Sequence, residues 1–267
     1  MMNLDAINRP TWRSRNVLNK YRYLAGYVDP GERAATEYLC AECRDKPILD
    51  IGVGAGRTTS LLQRISSDYI GVDYTRELLD IAVQKNPRVK YRLMDARDLH
   101  AFADGSFYLV NFSFNAIDAV DYDDRIRILG EVNRVMQPGG VYLFSGHNAT
   151  GPGARECIQT ALPKFSSNPL KLGWRFGRFA LSLPLIVYHR VMYSGLREER
   201  NGYVVSNAAA HNFGLVILYT TITEQNRQLA AAGFKTEAVF DSEEGREVSD
   251  DEDLSQVRWL HYIARKL

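Results

Sequence analysis

From Lys46 onward, short apolar runs alternate with longer amphipathic stretches, and this alternation constrains the fold more than any other feature of the sequence. It is typical of βα units that build a parallel sheet. The runs are short and almost wholly apolar, as expected for strands covered on both faces. The predicted strands are 47–51, 69–73, 89–94, 107–112, 141–145, 235–240 and 258–264. The sequence therefore predicts an α/β fold around one central sheet.

Two helices between these strands have clear boundaries. In 124–136, apolar residues recur at helical spacing, and the sequence QPGG that follows is typical of a helix stop. Thr221 and Glu224 form a capping-box pattern at the start of a second helix, which we expect to end at Gly233. Both helices are predicted to pack on the sheet.

Two segments do not fit the repeating pattern. Residues 1–45 precede the first strand, are rich in tyrosine and contain a predicted helix that opens at Pro30. Residues 149–220 are too long for an ordinary connection between a strand and a helix, so they must carry structure or function of their own. The composition, 45% hydrophobic and 24% charged over 267 residues, suits one large domain or one domain that carries an insertion.

Charge is balanced over the whole chain but not along it. The formal net charge is +1, which argues against non-specific nucleic-acid binding. In 151–203, eight basic residues oppose three acidic ones, a net charge of +5. In 241–253, eight acidic residues oppose one arginine, a net charge of −7, and we expect a mobile, solvated loop there.

Nothing in the sequence indicates export, a membrane span or a metal site. Residues 1–16 contain no continuous apolar segment, so we expect no secretory signal and a cytoplasmic protein. The most apolar stretch, 179–188, is far shorter than the ~20 residues of a spanning helix. Cys40 and Cys43 form C-x-x-C, but no second ligand pair accompanies them, and we expect two ordinary reduced thiols.

The first predicted strand runs into a glycine-rich turn, DIGVGAGR, which contains Asp50, Gly52, Gly54 and Gly56. Glycines allow a tight turn and a close approach of the backbone to a ligand, and a following helix would present free N–H groups. A dinucleotide site has the spacing G-x-G-x-x-G, but here the third position is Arg57. A nucleotide-like ligand other than NAD is therefore favoured.

These residues resemble the first motif, D-x-G-x-G-x-G, of the class I S-adenosylmethionine-dependent methyltransferase family. The resemblance covers 46–146 well and 221–265 loosely. It implies a Rossmann-like seven-stranded sheet of order 3-2-1-4-5-7-6, with the last strand antiparallel and helices on both faces. It also implies S-adenosylmethionine as the cofactor and S-adenosylhomocysteine as the product.

The resemblance assigns roles to residues at the ends of the following strands. It implies that Asp73 accepts hydrogen bonds from both ribose hydroxyls and that Tyr74 packs on the adenine. Asp95 would accept from the exocyclic amine, and the N–H of Ala96 would reach a ring nitrogen. Phe112 would line the methionine end of the site.

In this family, additions to the common core form a lid over the substrate. We therefore expect 1–45 to be a helical lid segment, and 149–220, above all 172–196, to be a substrate lid on the methyltransferase domain of 46–267. The acceptor is expected to be an oxygen or nitrogen of a small molecule. His147 is the best-placed candidate for a general base, with His211 and Tyr219 as further candidates near the end of the insertion.

Three alternatives stay open at this point. An NAD-linked oxidoreductase would keep Asp73 as the ribose ligand but must accommodate Arg57. A non-catalytic cofactor-binding protein on the same fold is the second, and it would use the basic insertion as a partner surface. The insertion could also contact an anionic membrane surface, although a solvated charged face explains the same residues. The sequence does not indicate an oligomeric state.

Overall fold

The computed structural model describes residues 3–23, 26–157 and 161–267. Residues 1–2 and 24–25 of the expected N-terminal lid, and 158–160 of the insertion, lie outside the described residues. The described residues form ten strands: β1 Ile48–Ile51, β2 Tyr69–Asp73, β3 Lys90–Leu93, β4 Phe107–Phe112, β5 Met136–His147, β6 Glu198–Arg200, β7 Tyr203–Ala208, β8 Leu215–Thr220, β9 Phe234–Asp241 and β10 Trp259–Lys266. All seven predicted strands are present.

Seven strands form the central sheet, in the order β3-β2-β1-β4-β5-β10-β9. The first five are parallel to one another, whereas β10 is antiparallel to both of its neighbours, β5 and β9. This is the strand order that the family resemblance implies, so the predicted fold class is confirmed. The strands β6, β7 and β8 form a separate antiparallel sheet within the insertion.

The described residues also form eight α-helices: α1 Leu4–Trp12, α2 Arg15–Tyr23, α3 Pro30–Cys40, α4 Thr59–Leu62, α5 Arg76–Lys85, α6 Tyr122–Val135, α7 Pro169–Met192 and α8 Ile222–Ala231. Helix α8 begins as predicted, because the Thr221 side chain accepts a hydrogen bond from the N–H of Glu224. Helix α6 begins two residues earlier than predicted, since Asp121 caps it.

Alternation along the strands builds a core on each face of the central sheet. Leu49 and Ile51 of β1 face the side that α6 and α8 cover, whereas Ile48 faces the side that α3 covers. Because the sheet is covered by apolar side chains on both faces, the polar side chains of a binding site are expected at the ends of the strands. Ligands of open α/β sheets bind at the edge formed by the carboxyl ends.

Two predictions about local structure need correction. Strand β5 starts at Met136, directly after α6, and extends to His147, so the QPGG sequence lies within a strand and His147 is its last residue. The helix predicted to follow the glycine-rich turn is a single turn, Thr59–Leu62.

The acidic segment 241–253 is held in place at its start. The buried carboxylate of Asp241 accepts hydrogen bonds from the N–H groups of Glu243, Glu244 and Arg246, and Glu247 pairs with Phe240. The expectation of a mobile loop is therefore wrong for the first part of the segment. There the Asp241 side chain accepts the backbone hydrogen bonds that a neighbouring strand would otherwise accept.

The surroundings of Cys43 disfavour a role as a nucleophile. Cys40 ends α3, and Cys43 is buried in the core beneath it. Burial raises the pKa of the Cys43 thiol to about 12, so the thiolate form is scarce near neutral pH.

Within 3–23, 26–157 and 161–267, none of the helices combines the length and the apolar character that crossing a membrane requires.

Candidate functional site

A cleft opens at the carboxyl ends of β1, β2 and β4, and it encloses about 830 Å³ of empty space together with the solvent at its mouth. The structure brings seven of the nine predicted cofactor residues to this one cleft. They are Gly52, Gly54, Asp73, Tyr74, Asp95, Ala96 and Phe112. Asp50 and Gly56 are not among the lining residues. Residues from four separate segments of the chain thus meet where the parallel strands end.

The glycine-rich turn is shaped by the two glycines that line the cleft. Gly52 has a φ of +62°, and a Cβ there would lie 2.7 Å from the ring of Phe112. Gly54 has a φ of +54°, and a Cβ there would meet nothing closer than a carbonyl oxygen at 4.0 Å. A side chain is excluded at Gly52 by contact. At Gly54 the backbone instead faces open space that a ligand can fill.

Asp50 supports the turn from inside the protein. Its carboxylate is fully buried and accepts hydrogen bonds from the hydroxyls of Thr58 and Tyr69 and from the amide of Asn111, all at 2.7 Å. Burial raises the pKa of this carboxyl group. The structure therefore places Asp50 beneath the glycine-rich turn rather than in the cleft, and its contacts there are with the protein.

Asp73 ends β2 and does line the cleft. One carboxylate oxygen accepts from the N–H of Gly54 at 2.8 Å, and the other accepts from the N–H of Thr75 at 2.7 Å. Burial raises the pKa of Asp73 to about 6 although these two N–H groups favour the charged form. The Thr75 side chain also hydrogen-bonds this carboxylate, and the lone-pair capacity that remains is available to a donor in the cleft.

An ion-pair network closes the side of the cleft where Asp95 lies. Arg97 donates to both oxygens of Asp95, to Asp124 at 2.5 Å and to Asp5 at 2.9 Å. Arg9 lies over the ring of Tyr74, 4.7 Å from its centre. Because Asp5 and Arg9 belong to α1, the N-terminal segment is tied directly to this side of the cleft.

Two consecutive left-handed residues follow β4 beside the cleft. Phe114 and Asn115 have φ angles of +59° and +58°, a conformation that side chains rarely adopt, and the Asn115 N–H donates to Ser145 at 2.8 Å. The side chain of Asn115 is buried, and its Oδ1 has no hydrogen-bond partner within the described parts of the chain. A buried acceptor without a donor costs free energy that a ligand can recover.

His147 lies behind this turn and does not line the cleft. Its Nδ1 lies 2.8 Å from the carboxylate of Asp118, which also accepts from the His147 backbone N–H at 2.6 Å. Its Nε2 lies 3.5 Å from the Asn115 amide nitrogen. A carboxylate can only accept, so Asp118 fixes the hydrogen on Nδ1 and leaves the Nε2 lone pair directed toward Asn115.

The two further candidates for a base lie near His147 and the lid. The ring of Tyr219 is 5.2 Å from that of His147, but its side chain is buried and burial strongly raises its pKa. His211 packs on Trp12 at 5.9 Å, and burial lowers its pKa to about 4. His211 is therefore neutral at physiological pH.

The N-terminal segment covers the cleft, whereas the insertion holds that segment in place. Trp12 and Tyr21 line the cleft. The side-chain amide of Asn8 bonds to both the N–H and the C=O of Val216 on β8, at 2.9 and 2.8 Å. No residue of the insertion outside 158–160 lines the cleft. A role of 172–196 as a substrate lid stays a prediction.

Arg57 excludes the dinucleotide interpretation of the glycine-rich turn. Its guanidinium is buried and donates to both carboxylate oxygens of Glu32 on α3, at 2.6 and 2.7 Å, and to the carbonyl of Tyr27. In a dinucleotide site this position is a glycine that lets helix and strand pack closely. Here an arginine uses the space to attach α3 to the turn.

Comparison with known proteins agrees with this geometry. The family model that matches is described as a methyltransferase domain, and it covers residues 48–140, from β1 into β5. Residues 48–140 thus match a methyltransferase domain, and the solved structural neighbours of the chain include S-adenosylmethionine-dependent methyltransferases of the class I fold. The chain is therefore a transferase that uses S-adenosylmethionine.

Two relatives of this methyltransferase show how far sequence similarity extends. A phosphatidylethanolamine N-methyltransferase of Cereibacter sphaeroides is 29% identical over 179 residues, which cover 65% of this chain and 82% of that protein. An uncharacterized methyltransferase of Bacillus subtilis is 32% identical over 125 residues, 45% of this chain and 48% of that protein. The chain thus spans about half of the second relative.

The fold similarity extends over most of the chain. The 1,6-didemethyltoxoflavin-N1-methyltransferase of Burkholderia thailandensis, solved with its substrate and S-adenosylhomocysteine, has a TM-score of 0.60 at 13% identity, covering 98% of this chain and 88% of that one. A methyltransferase from Mesorhizobium loti has a TM-score of 0.57 at 19% identity, covering 89% and 98%. At these identities the likeness concerns the fold alone.

The residues of the cleft fit S-adenosylmethionine in this methyltransferase. The open backbone at Gly54 leaves room for a ligand, and Asp73 presents unused lone pairs to a diol. The residues that sequence reasoning missed are Asp5, Arg97, Asn115 and Asp118. Of these, only Asn115 has a local sequence signal, because it is a polar residue just past a strand end.

Cofactor affinity is expected to fall in mild acid. Hydroxyl donors on the cofactor favour the charged form of Asp73, so a carboxyl protonated below its pKa of about 6 must lose a proton on binding. We expect the dissociation constant for S-adenosylmethionine to be flat above pH 7 and to rise about tenfold per pH unit below 6. Titration calorimetry from pH 5 to 8 measures this. Asp73→Asn should bind weakly without that pH dependence, and a flat profile for the unmodified protein would contradict the assignment.

Proposed function

We propose that this methyltransferase moves a methyl group to a nitrogen or oxygen of a small-molecule acceptor that carries an N–H or O–H hydrogen. The observation that carries the proposal is the unpaired Oδ1 of the buried Asn115, which directly follows Phe114 in the cleft lining and whose amide nitrogen lies 3.5 Å from the Nε2 of His147. An acceptor that donates a hydrogen bond to this oxygen would satisfy it.

In this proposal the predicted cofactor contacts have distinct roles. Asp73 accepts from the ribose hydroxyls, Tyr74 packs on the adenine, and Asp95 and Ala96 hydrogen-bond its edge. Phe112, which lies against Gly52, borders the methionine end. When bound, S-adenosylmethionine supplies an electrophilic methyl group on a sulfonium.

The main task left to the protein is orientation. Direct displacement needs the acceptor atom in line with the methyl carbon, and positioning supplies about 7–11 kcal/mol of such a barrier. The left-handed turn at Phe114 and Asn115 is anchored by Ser145 and by Arg57, whose guanidinium lies 4.9 Å from the centre of the Phe114 ring. A turn fixed on both sides can hold the acceptor in a single orientation.

His147 is proposed to take the acceptor's proton on Nε2. Its Nδ1–H is held by Asp118, a buried acid that also pairs with Arg125, so the imidazole cannot easily rotate. The contact of the Asn115 amide with Nε2 is long, at 3.5 Å. Proton transfer to His147 would require the acceptor to displace this amide and present its own N–H or O–H to Nε2.

The lid is proposed to have two parts with different tasks. The N-terminal segment, 1–45, encloses the acceptor, since the rings of Trp12, Tyr21 and Phe114 follow one another edge to face at 6.3–6.4 Å. The insertion, 149–220, positions that segment through β8. Aromatic walls suit an acceptor with a flat or apolar part.

The printed names of relatives support this acceptor class without identifying the molecule. They include the phosphatidylethanolamine N-methyltransferase and ubiquinone biosynthesis O-methyltransferases of Xanthomonas species, 26–27% identical over 108 residues. One structural neighbour is named an N1-methyltransferase. These names describe acceptors at nitrogen and at oxygen, whereas another relative, 31% identical over 97 residues, is named a C-methyltransferase of ubiquinone and menaquinone biosynthesis.

The proposed function is tested in two steps. Titration calorimetry with S-adenosylmethionine, S-adenosylhomocysteine and NAD should show binding of both sulfur ligands and none of NAD. Methyl-labelled cofactor is then offered with a panel of amines, phenols and hydroxyquinones, with and without the target N–H or O–H. Transfer only to acceptors that carry that hydrogen is expected. Transfer to carbon, or equal transfer to acceptors without the hydrogen, would contradict the proposal.

Replacing His147 should slow transfer and leave cofactor binding intact. For His147→Gln we expect about a hundredfold lower kcat, the lower end of the range for a general base, because orientation supplies most of the rate. Cofactor affinity should stay within about threefold, since His147 does not line the cleft. Single-turnover transfer and calorimetry measure the two quantities. His100→Gln, at an exposed histidine, is the matched control, and an unchanged kcat in His147→Gln would remove His147 from the reaction.

A further inference from the structure

Helix α7 is the longest helix in the structure and the least covered. Of its 24 residues, Pro169–Met192, only Ile186 is buried. A partly covered stripe at spacings of three and four residues marks the side that faces the protein. Its members are Leu172, Arg175, Phe179, Ser182, Ile186 and His189. This side rests mainly on the short segment 210–213, for example through His189 Nδ1, 2.8 Å from the Asn212 carbonyl oxygen.

The opposite side of α7 is apolar and exposed. Among all described residues, twelve of the nineteen exposed large hydrophobic side chains lie within 162–192. Leu170 and Leu181 are 85% and 86% exposed, and Trp174 is 62% exposed. The members of this group on α7 are Leu170, Trp174, Phe176, Leu181, Leu183, Leu185, Val187, Tyr188, Val191 and Met192. A contiguous apolar surface of this kind marks an interaction site.

The charge around this face has one sign. Between Glu156 and Glu198 the sequence contains no acidic residue, whereas it contains six basic ones, Lys164, Lys171, Arg175, Arg178, Arg190 and Arg197. At 3.6 residues per turn, the four that belong to α7 lie within about 80° of Ile186, on the covered side and its flanks. None of them lies at the centre of the apolar face. The helix thus presents a hydrophobic face, with the exposed Lys171 and Arg178 on one flank.

We propose that α7 is a docking surface for an anionic lipid bilayer, with the helix lying in the plane of the membrane interface. The apolar face would enter the boundary of headgroups and acyl chains, and the flanking Lys171 and Arg178 would reach lipid phosphates. Each basic residue near an anionic surface adds to binding, and no acidic residue on the segment opposes it.

The charge pattern disfavours a second copy of this chain as the occupant. Pairing two copies through α7 would bring two sets of basic residues together without an acidic residue between 157 and 197 to compensate them. A lipid surface supplies the opposite charge over the whole length of the helix. The inference does not depend on the proposed acceptor, because its test measures binding rather than methyl transfer.

The test is flotation of the full chain with vesicles of two compositions. One is phosphatidylcholine alone, and the other is an equimolar mixture of phosphatidylcholine and phosphatidylglycerol. We expect binding to the mixed vesicles that weakens as salt rises, and little binding to the neutral ones. Trp174 lies on the apolar face, so its fluorescence should shift to shorter wavelength on binding. Trp174→Phe should bind and lose most of that shift.

Two variants separate the apolar and the electrostatic contributions. Leu181→Asp should weaken binding at least about tenfold, because it places a charge where a leucine side chain would be buried. Lys171→Gln with Arg178→Gln should weaken it roughly thirtyfold through the loss of two charges. Leu267→Asp and Arg88→Gln are the matched controls at an exposed leucine and an exposed arginine elsewhere. Both controls should bind like the unmodified chain.

Three results would overturn the proposal. The first is no binding to the mixed vesicles at low salt. The second is equal weakening by the control variants. The third is a dimer in light scattering that Leu181→Asp converts to a monomer while vesicles fail to bind, which would assign the face to a second copy. If a variant no longer binds vesicles but still transfers methyl groups, the proposed function is unaffected and the loss concerns only the surface of α7.

Discussion

Asp73→Ala is expected to reduce the affinity for S-adenosylmethionine at least a hundredfold. Asp73 is the charged acceptor that ends β2 in the cleft, and each hydrogen bond to a charged group contributes about 1.5–3 kcal/mol. Two hydroxyl donors to one carboxylate therefore correspond to about 3–6 kcal/mol. Titration calorimetry at pH 7.5 measures the loss, because the carboxyl group is ionised well above its pKa of about 6.

The variant must be distinguished from one that has lost the glycine-rich turn. Asp73 also accepts from the N–H groups of Gly54 and Thr75, so Asp73→Asn, which keeps the shape, is measured beside it. Asp104→Ala removes an exposed acid far from the cleft and should bind normally. Circular dichroism checks that both variants are folded. If Asp73→Ala then binds S-adenosylmethionine within threefold of the affinity of Asp104→Ala, the assignment of Asp73 to the ribose hydroxyls is contradicted.

The contrast between Asp50 and Asp73 shows what the sequence could determine. Both acids lie at the end of an apolar run, and the family motif includes the first of them. Asp50 is the third residue of β1, within the sheet, so its side chain must point into a covered face. Asp73 is the last residue of β2, so its side chain lies at the edge of the sheet where the cleft opens. Strand order and strand ends follow from local pattern, but the direction of one side chain depends on neighbours from other segments.

The two lid segments show the same difference between what the sequence predicts and what depends on distant contacts. Sequence length indicated that 1–45 and 149–220 are additions, but not which of them lines the cleft. That depends on contacts such as Asn8 with Val216 and Arg97 with Asp5, whose partners are 208 and 92 residues apart. No periodicity or spacing within either segment specifies such pairs. The apolar character of 172–196 predicted a lid, whereas the structure turns that face to solvent.

Asp118→Ala is expected to destabilise the fold by about 3–5 kcal/mol, because it leaves a buried arginine without its countercharge. Arg125 and Asp118 are both fully buried and form an ion pair. The other contacts of the guanidinium are the side-chain oxygens of Gln225 and Gln228 on α8, which are uncharged. The pair thus joins the segment after β4 to α6 and α8, and its loss would remove a large part of a typical stability of about 5–15 kcal/mol.

Urea unfolding followed by circular dichroism measures this change, with Asp104→Ala as the control. Asp104 pairs with Arg134 at the surface, and breaking that exposed pair should cost less than about 1 kcal/mol. Combining Asp118→Ala with Arg125→Met should recover part of the loss, because no buried charge then lacks a partner. A similar free energy of unfolding in Asp118→Ala and Asp104→Ala would contradict the buried pair. If the pair holds His147 as proposed, the double variant should fold well and still transfer methyl groups slowly, since Nδ1 would have lost Asp118.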